Sequence, residues 1–312
     1  MCGIAGYINF KNNLKDSDID EMVKVLGHRG PDSIGKKHFN DFNNFYSMGH
    51  ARLSIIDLTE GGAQPMENHK YIICFNGEIY NYLEIKDTLK QNKIKFSTDS
   101  DTEVVLEAIS YFGIEKALLM FHGMWAFSLY NKKNGELILC RDRLGVKPLY
   151  YFISKNNFVF GSELKSLCCH SNFVKSIDKD SLVEFFKYGF ISAPRSIYEN
   201  TFKVEPGQYV KIDSHNNLIK QKFWDLNKIV NETMVVNPLN KKNSLEELKK
   251  ILIRAFDLRM VSDVPVGVFL SGGIDSSLLV SILSKELNYD LNTFTIGFDE
   301  KEYDESKWAK KI

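Results

Sequence analysis

Cys2 stands one residue from the start of the chain, followed by Gly3 and Ile4. If Met1 is removed, Cys2 presents a thiol and a free α-amino group on adjacent carbons, a nucleophile and a candidate base in one residue. Reference pKa values of about 8.5 for the thiol and about 7.7–8.0 for the amine let both exchange protons near neutral pH. That is the N-terminal form of nucleophile-plus-base chemistry. Taken alone, a cysteine at position two is more simply an accident of position.

The second stretch with chemical content is Ser271-Gly272-Gly273-Ile274-Asp275-Ser276-Ser277. It follows a short apolar run at 264–270 and opens an expected helix at 274–287. Glycines let backbone approach a phosphate, and a helix N-terminus offers unpaired N–H groups and a favourable dipole. Asp275 could hold a magnesium ion against the phosphates. The rival reading is an ordinary glycine turn with Ser or Asp capping a helix. The strand–loop–helix setting favours the phosphate. No lysine follows the second glycine in the P-loop manner, which disfavours kinase or GTPase chemistry.

These residues need elements to position them. A chain of 312 residues implies two domains, and 44% hydrophobic content is ample for their cores. Up to about residue 224, short apolar runs (4–10, 71–75, 123–130, 136–141, 158–160) alternate with Gly, Asn and Asp, which predicts strands. Helices are expected at 82–91 and 101–112, the latter announced by the capping-box pattern Ser100-x-x-Glu103. Together they predict an α+β domain over 1–225. Residues 226–243 are polar, contain Pro238 and read as a linker. An amphipathic helix at 245–260 follows, then strand, glycine loop, helix and a strand at 293–298, a βαβ unit that implies an α/β parallel-sheet domain over 244–312. A last helix is expected at 305–311. Two strands leave a parallel sheet with an open edge and face, so this domain is expected to be truncated.

Composition narrows the partners. Lys+Arg and Asp+Glu each total 40, which removes a bulk electrostatic case for nucleic acid or anionic membrane. Cys2, Cys74, Cys140, Cys168 and Cys169 are odd in number and form no Cys-x-x-Cys pair, as expected of reduced thiols in a cytoplasmic protein. The seven histidines show no zinc-site spacing. No signal peptide and no apolar run near the ~18 residues of a membrane span are present in the sequence.

A series of motifs then carries a resemblance. Met1-Cys2-Gly3-Ile4, His28-Arg29-Gly30-Pro31-Asp32, His50-Ala51-Arg52-Leu53-Ser54-Ile55, Phe75-Asn76-Gly77-Glu78-Ile79-Tyr80-Asn81 and Ser100-Asp101-Thr102-Glu103 resemble class II glutamine amidotransferases. So do the run from Arg141-Asp142-Arg143-Leu144-Gly145-Val146-Lys147 to Pro148-Leu149-Tyr150, and Ser162-Glu163-Leu164-Lys165. The 271–277 loop resembles the pyrophosphate loop of ATP pyrophosphatases. Joined in this order, the motifs are similar to the glutamine-hydrolysing asparagine synthetase family across essentially the whole chain.

The resemblance implies a layered αββα fold of the N-terminal-nucleophile hydrolase type. It implies that Cys2 attacks the side-chain amide of glutamine, with Asn76 and the Gly77 N–H as oxyanion hole. Arg52 would hold the α-carboxylate, Glu78 and Asp101 the α-ammonium, and Leu53, Ser54, Ile55 and Ile56 would also bind the glutamine. Leu270, Ser271, Gly272, Gly273, Asp275, Ser276 and Ile296 would bind ATP, with Mg2+ reaching Asp275 through the pyrophosphate. Glutamine, aspartate and ATP are the implied partners, and a homodimer is left open.

Each residue has a plainer rival. Asn76-Gly77 is a favoured hairpin turn, Asp101 a helix cap, and Arg52 and Glu78 surface ions. Singly, the plainer option leads for Asn76 and Asp101; jointly, with Cys2, it does not. Residues 28–32 read as a structural turn near the site. Amination of another carboxylate, on a sugar or a peptide, remains an alternative. So does a glutaminase-only or non-catalytic glutamine-binding fragment.

Overall fold

In the computed structural model, which describes residues 1–10, 18–233, 241–300 and 302–312, strand β1 (Gly3–Phe10) is buried along its whole length. Ile4, Ile8 and Phe10 enter one core, and Ala5 and Tyr7 enter another. A strand's side chains alternate between faces, so this pattern places β1 between two covered layers.

The chain forms two units, Met1–Val230 and Asn231–Ile312. The strands after β1 in the first are β2 (Ser33–Asp41), β3 (Asn44–Arg52), β4 (Met66–Glu67), β5 (Tyr71–Ile79), β6 (Gly123–Asn131) and β7 (Leu137–Arg141). Then come β8 (Tyr150–Ile153), β9 (Asn157–Gly161), β10 (Thr201–Lys203), β11 (Gln208–Ile212) and β12 (Leu218–Lys222). They make two six-stranded sheets, ordered β10-β8-β9-β1-β3-β2 and β12-β11-β7-β6-β5-β4, with every described pairing antiparallel. Ile4, Met48 and Phe160 from the first sheet meet Cys74, Ala126 and Val210 from the second in the core between them.

Helices cover both outer faces. Ile19, Met22 and Val23 of α1 (Asp18–Lys24) and Leu167 in the short turn after Gly161 pack with Ala5 and Tyr7 on the first sheet. On the second sheet, α2 (Tyr82–Gln91) packs on α3 (Asp101–Phe112) and α3 on β5, burying Val104, Val105, Ala108 and Ile109. The result is the expected αββα layering. Both helices have the bounds their periodicity predicted. The capping box is only half formed: Ser100 accepts from the Thr102 N–H, but Glu103 turns to the Ser97 and Thr98 amides at 2.8 Å.

The predicted linker carries helix at both ends. Helix α4 (Leu226–Thr233) occupies its start, and α5 (Lys241–Leu258) begins at residue 241. Pro238 lies outside the described residues. In the second unit β13 (Gly267–Phe269) pairs in parallel with β14 (Asn292–Phe294), joined through α6 (Ile274–Ser281) and a π-helical turn, Ile282–Glu286. Both strands are shorter than the apolar runs predicted, and among the described residues each pairs only with the other. A final turn, α7, covers Ser306–Ala309. Among the described residues, no helix is long and apolar enough to cross a membrane.

Candidate active site

The Gly3–Ala51 pairing sets Cys2 beside Arg52 at the adjoining ends of β1 and β3. The Cys2 thiol donates to the Leu53 carbonyl at 3.5 Å and accepts from the Leu53 N–H at 3.4 Å. Arg29 grips the backbone here: its Nε donates to the Cys2 carbonyl at 2.9 Å, and its Nη1 pairs with Glu163 at 2.9 Å. Ser162 closes the other side, its Oγ accepting from the Ile4 N–H at 3.0 Å. Gly30 has no room for a side chain, since a Cβ would lie 2.2 Å from the Ala51 carbonyl oxygen. The 28–32 turn and the 162–165 motif thus hold the main chain on either side of Cys2.

Asn76-Gly77 is not a hairpin turn. It lies within β5, where Asn76 faces Ala126 and Gly77 faces Trp125 of β6. β4 pairs only with Ile72 and Ile73, so over this stretch β5 has one edge without a strand partner among the described residues. Side chains bond that edge instead. Phe75 N–H donates to Gln64 Oε1 at 2.6 Å, the Phe75 carbonyl accepts from His50 Nε2 at 3.1 Å, and Ile79 N–H donates to Asp101 Oδ2 at 3.0 Å. Main-chain groups two residues apart point to the same edge in an antiparallel pair, so the intervening Gly77 N–H faces that edge too. Trp125, opposite Gly77, agrees with this by turning its own N–H and carbonyl to Asp142. The Asn76 side chain is buried, and neither its nitrogen nor its oxygen has a hydrogen-bond partner among the described residues. Buried amides are normally satisfied, so an orphaned one facing a pocket marks a place for a ligand.

The pocket between these strand ends is lined by Cys2, Arg52, Leu53, Ile55, Ile56, Asn76, Gly77, Glu78 and Asp101. Ser54 is the one predicted glutamine contact outside it; its N–H binds Asp32 Oδ2 at 2.7 Å. Arg52 is fixed by the carbonyls of Asp57 and Thr59, the latter at 2.7 Å, and Gly62 leaves space for the guanidinium. Burial raises the Glu78 carboxyl above its usual range, with Lys147 pulling it back. Burial also raises Asp101 to about 7, against the Ile79 N–H and with the Glu78 charge adding to the rise. The Cys2 thiol is pushed up by burial, while the Leu53 N–H favours its anion. His50 is held neutral, its pKa brought by burial down to about 4, so its Nε2–H donates to Phe75.

In the second unit the 271–277 loop folds as a helix entry. Gly272 has φ +83°, and a Cβ there would lie 2.6 Å from Trp308 Cβ. Gly273 caps α6 without a side-chain bond, which leaves first-turn N–H groups open to an anion. Ser271, Ser276 and Ser277 tie the loop to itself, Ser277 Oγ donating to the Gly273 carbonyl at 2.6 Å. Asp275 is exposed in the first turn. Leu270 anchors the strand end through the Phe294 carbonyl at 2.8 Å, and Ile296 lies exposed beyond β14. One carboxylate completed by phosphate oxygens is an acceptable magnesium donor set.

Residues 1–224 match the glutamine amidotransferase domain family. The chain belongs to that family. Residues 247–312 match the asparagine synthase family. A Methanocaldococcus jannaschii protein with the provisional name asparagine synthetase (glutamine-hydrolysing) 2 is 41% identical, over 100% of this chain and 62% of its own length. Asparagine synthetase (glutamine-hydrolysing) 1 of Bacillus subtilis is 37% identical, over 100% of this chain and 48% of its own. Amidase chry2 of Gibberella zeae is 30% identical, over 100% of this chain and 49% of its own. The chain thus spans about half to three-fifths of the length of these relatives. A solved glutamine phosphoribosylpyrophosphate amidotransferase from B. subtilis shares the fold, with a TM-score of 0.52 and 19% identity, covering 96% of this chain and 67% of that one.

Within this amidotransferase domain, sequence reading passed over Gln64 and Lys147, which both line the pocket. Gln64 joins β5 to α3 by donating to Thr102 Oγ1 at 3.2 Å while accepting from Phe75. Nothing in its local sequence marks it. Lys147 lies within the 141–150 motif, and its place between the apolar Val146 and Pro148 is the one local signal of its burial.

Proposed function

We propose that Cys2, freed by removal of Met1, hydrolyses glutamine, and that the ammonia serves an asparagine synthetase reaction. The thiol proton passes to the Cys2 amine as sulfur bonds to the amide carbon. The Asn76 amide and the Gly77 N–H take the oxyanion. The carbon–nitrogen bond breaks as the amine returns its proton, ammonia leaves, and water hydrolyses the thioester to glutamate. Arg52 holds the α-carboxylate as a planar fork, and Glu78 and Asp101 hold the α-ammonium. The orphaned amide of Asn76 beside Cys2 is the observation that carries this reading.

For the second unit, the reading rests on the family match and on the relatives' names. An aspartate β-carboxylate oxygen attacks the α-phosphorus of ATP and pyrophosphate departs; ammonia then displaces AMP to give asparagine. The uncapped helix entry at residues 271–276 would hold the pyrophosphate. Magnesium held by Asp275 would supply charge neutralisation there.

The test is glutamate release from glutamine without ATP, with mass analysis of the N-terminus. Hydrolysis is expected in the processed chain and absent in Cys2→Ala. Asn76→Ala should lower kcat by about 10²–10³, the usual cost of an oxyanion donor. Equal rates in wild type and Cys2→Ala would remove the nucleophile. For the acceptor, pyrophosphate release from ATP is followed in a chain extended to its relatives' length. Release that ignores aspartate would point to another carboxylate.

A further inference from the structure

A zwitterionic amino acid uses Arg52 for its carboxylate and Glu78 and Asp101 for its ammonium, which leaves one buried charge in the pocket without a task. That charge is Lys147, only 2% exposed and lining the pocket with Cys2 and Glu78. A buried lysine is costly unless its charge is used. Its main chain is held on both sides. The Lys147 N–H donates to Asp142 Oδ2 at 3.0 Å, and its carbonyl accepts from Arg141 Nε at 2.7 Å. Asp142 is itself buried and also accepts the amides of Trp125, Leu144 and Val146, at 3.2, 3.1 and 2.9 Å. Its carboxylate is therefore occupied in shaping the 142–147 loop, and the loop delivers a cation to the pocket.

We propose that Lys147 is the positioning cation of Cys2, a fixed charge whose field stabilises the sulfur anion and, after Met1 removal, keeps the adjacent amine unprotonated. The second clause rests on the proposed N-terminal processing; the first needs only the pocket. The charged groups acting on Lys147 are Glu78 from β5, Arg29 from the turn before β2, Cys2 and Asp142. The Asp101 carboxylate, from the start of α3, opposes the sulfur anion. Burial lowers the Lys147 ammonium, and Glu78 and Cys2 both favour its charged form.

The experiment titrates the thiol directly. Alkylation of the full chain by iodoacetamide is followed against pH in the N-terminal peptide by mass, which separates Cys2 from the other four cysteines. Lys147→Met and Lys147→Gln should each raise the apparent thiol pKa by about one unit, a tenfold loss of thiolate at a given pH. Lys147→Arg should leave it near wild type. Glutamine kcat should fall in the neutral variants near pH 7 and recover at higher pH, with KM little changed. An unshifted thiol titration in a folded neutral variant would overturn the proposal. The alkylation needs no turnover, so this result stands apart from whether glutamine is the substrate.

Discussion

Asp101 shows how much a single carboxyl changes between sequence and structure. As the first residue of α3 it reads as a dipole partner, and it is that; yet it also closes the free edge of β5 through the Ile79 N–H and lies 5% exposed in the pocket. Sequence could place it at the helix start but could not show that the start faces Cys2. Its folded pKa of about 7 stands above the unfolded value near 3.9. The folded protein therefore holds a proton that the unfolded chain releases. The resulting stability is fully present below about pH 4 and is lost as pH rises through about 7. Asp101→Asn keeps an oxygen for the Ile79 N–H and removes the buried charge. It should raise Tm at pH 8, where each kcal/mol is worth about 2–4 °C in a unit of this size, and raise it by less at pH 5, where only the first part of that stability has been lost. The same variant should raise KM for glutamine, and wild-type KM should itself climb as pH falls below 7. Thermal melts and initial rates at the two pH values check both signs.

At the scale of the element, β5 is the strand that builds the site. Its apolar part, residues 71–75, was legible; its continuation through Asn76-Gly77-Glu78 was not, because asparagine before glycine favours a turn in isolation. Pairing with β6 overrides that preference, and Gly77 is the residue that permits it. A Cβ at 77 would lie 2.3 Å from the Met124 carbonyl oxygen and 2.7 Å from Trp125 Cα. Gly77→Ala must push β5 from β6 or shift the Gly77 N–H, and overpacking of this kind costs about 1–3 kcal/mol. Urea denaturation should show that loss, and glutamine hydrolysis should fall further than stability alone accounts for. Other strands escaped notice for a related reason. β2 is an edge strand carrying Lys36, Lys37 and His38, and β3 runs through Ser47, Gly49 and His50, so neither shows an apolar run. Their partners, not their composition, make them strands.

Across the whole molecule the two units differ in how they bury apolar surface. The first encloses one core between its sheets and another under α1, each drawing residues from strands far apart in sequence. In the second, Val268, Leu270, Ile282, Leu283 and Ala309 are buried, while Phe269, Ile274, Phe294, Ile296 and Phe298 are exposed around a two-stranded pair. Local opening is easiest where few apolar groups are enclosed and strand bonds lie near solvent. Hydrogen exchange followed by mass should therefore be slow in peptides from β1, β5, β6 and β9 and fast in those from β13 and β14. Glutamine, if it binds where proposed, should slow exchange in peptides containing Asn76, Gly77 and Asp101 and leave the 267–294 peptides unchanged, because its whole contact set belongs to the first unit. ATP with magnesium should do the reverse, slowing residues 271–277. Protection of both units by glutamine alone would mean that the donor site is not confined to the pocket around Cys2.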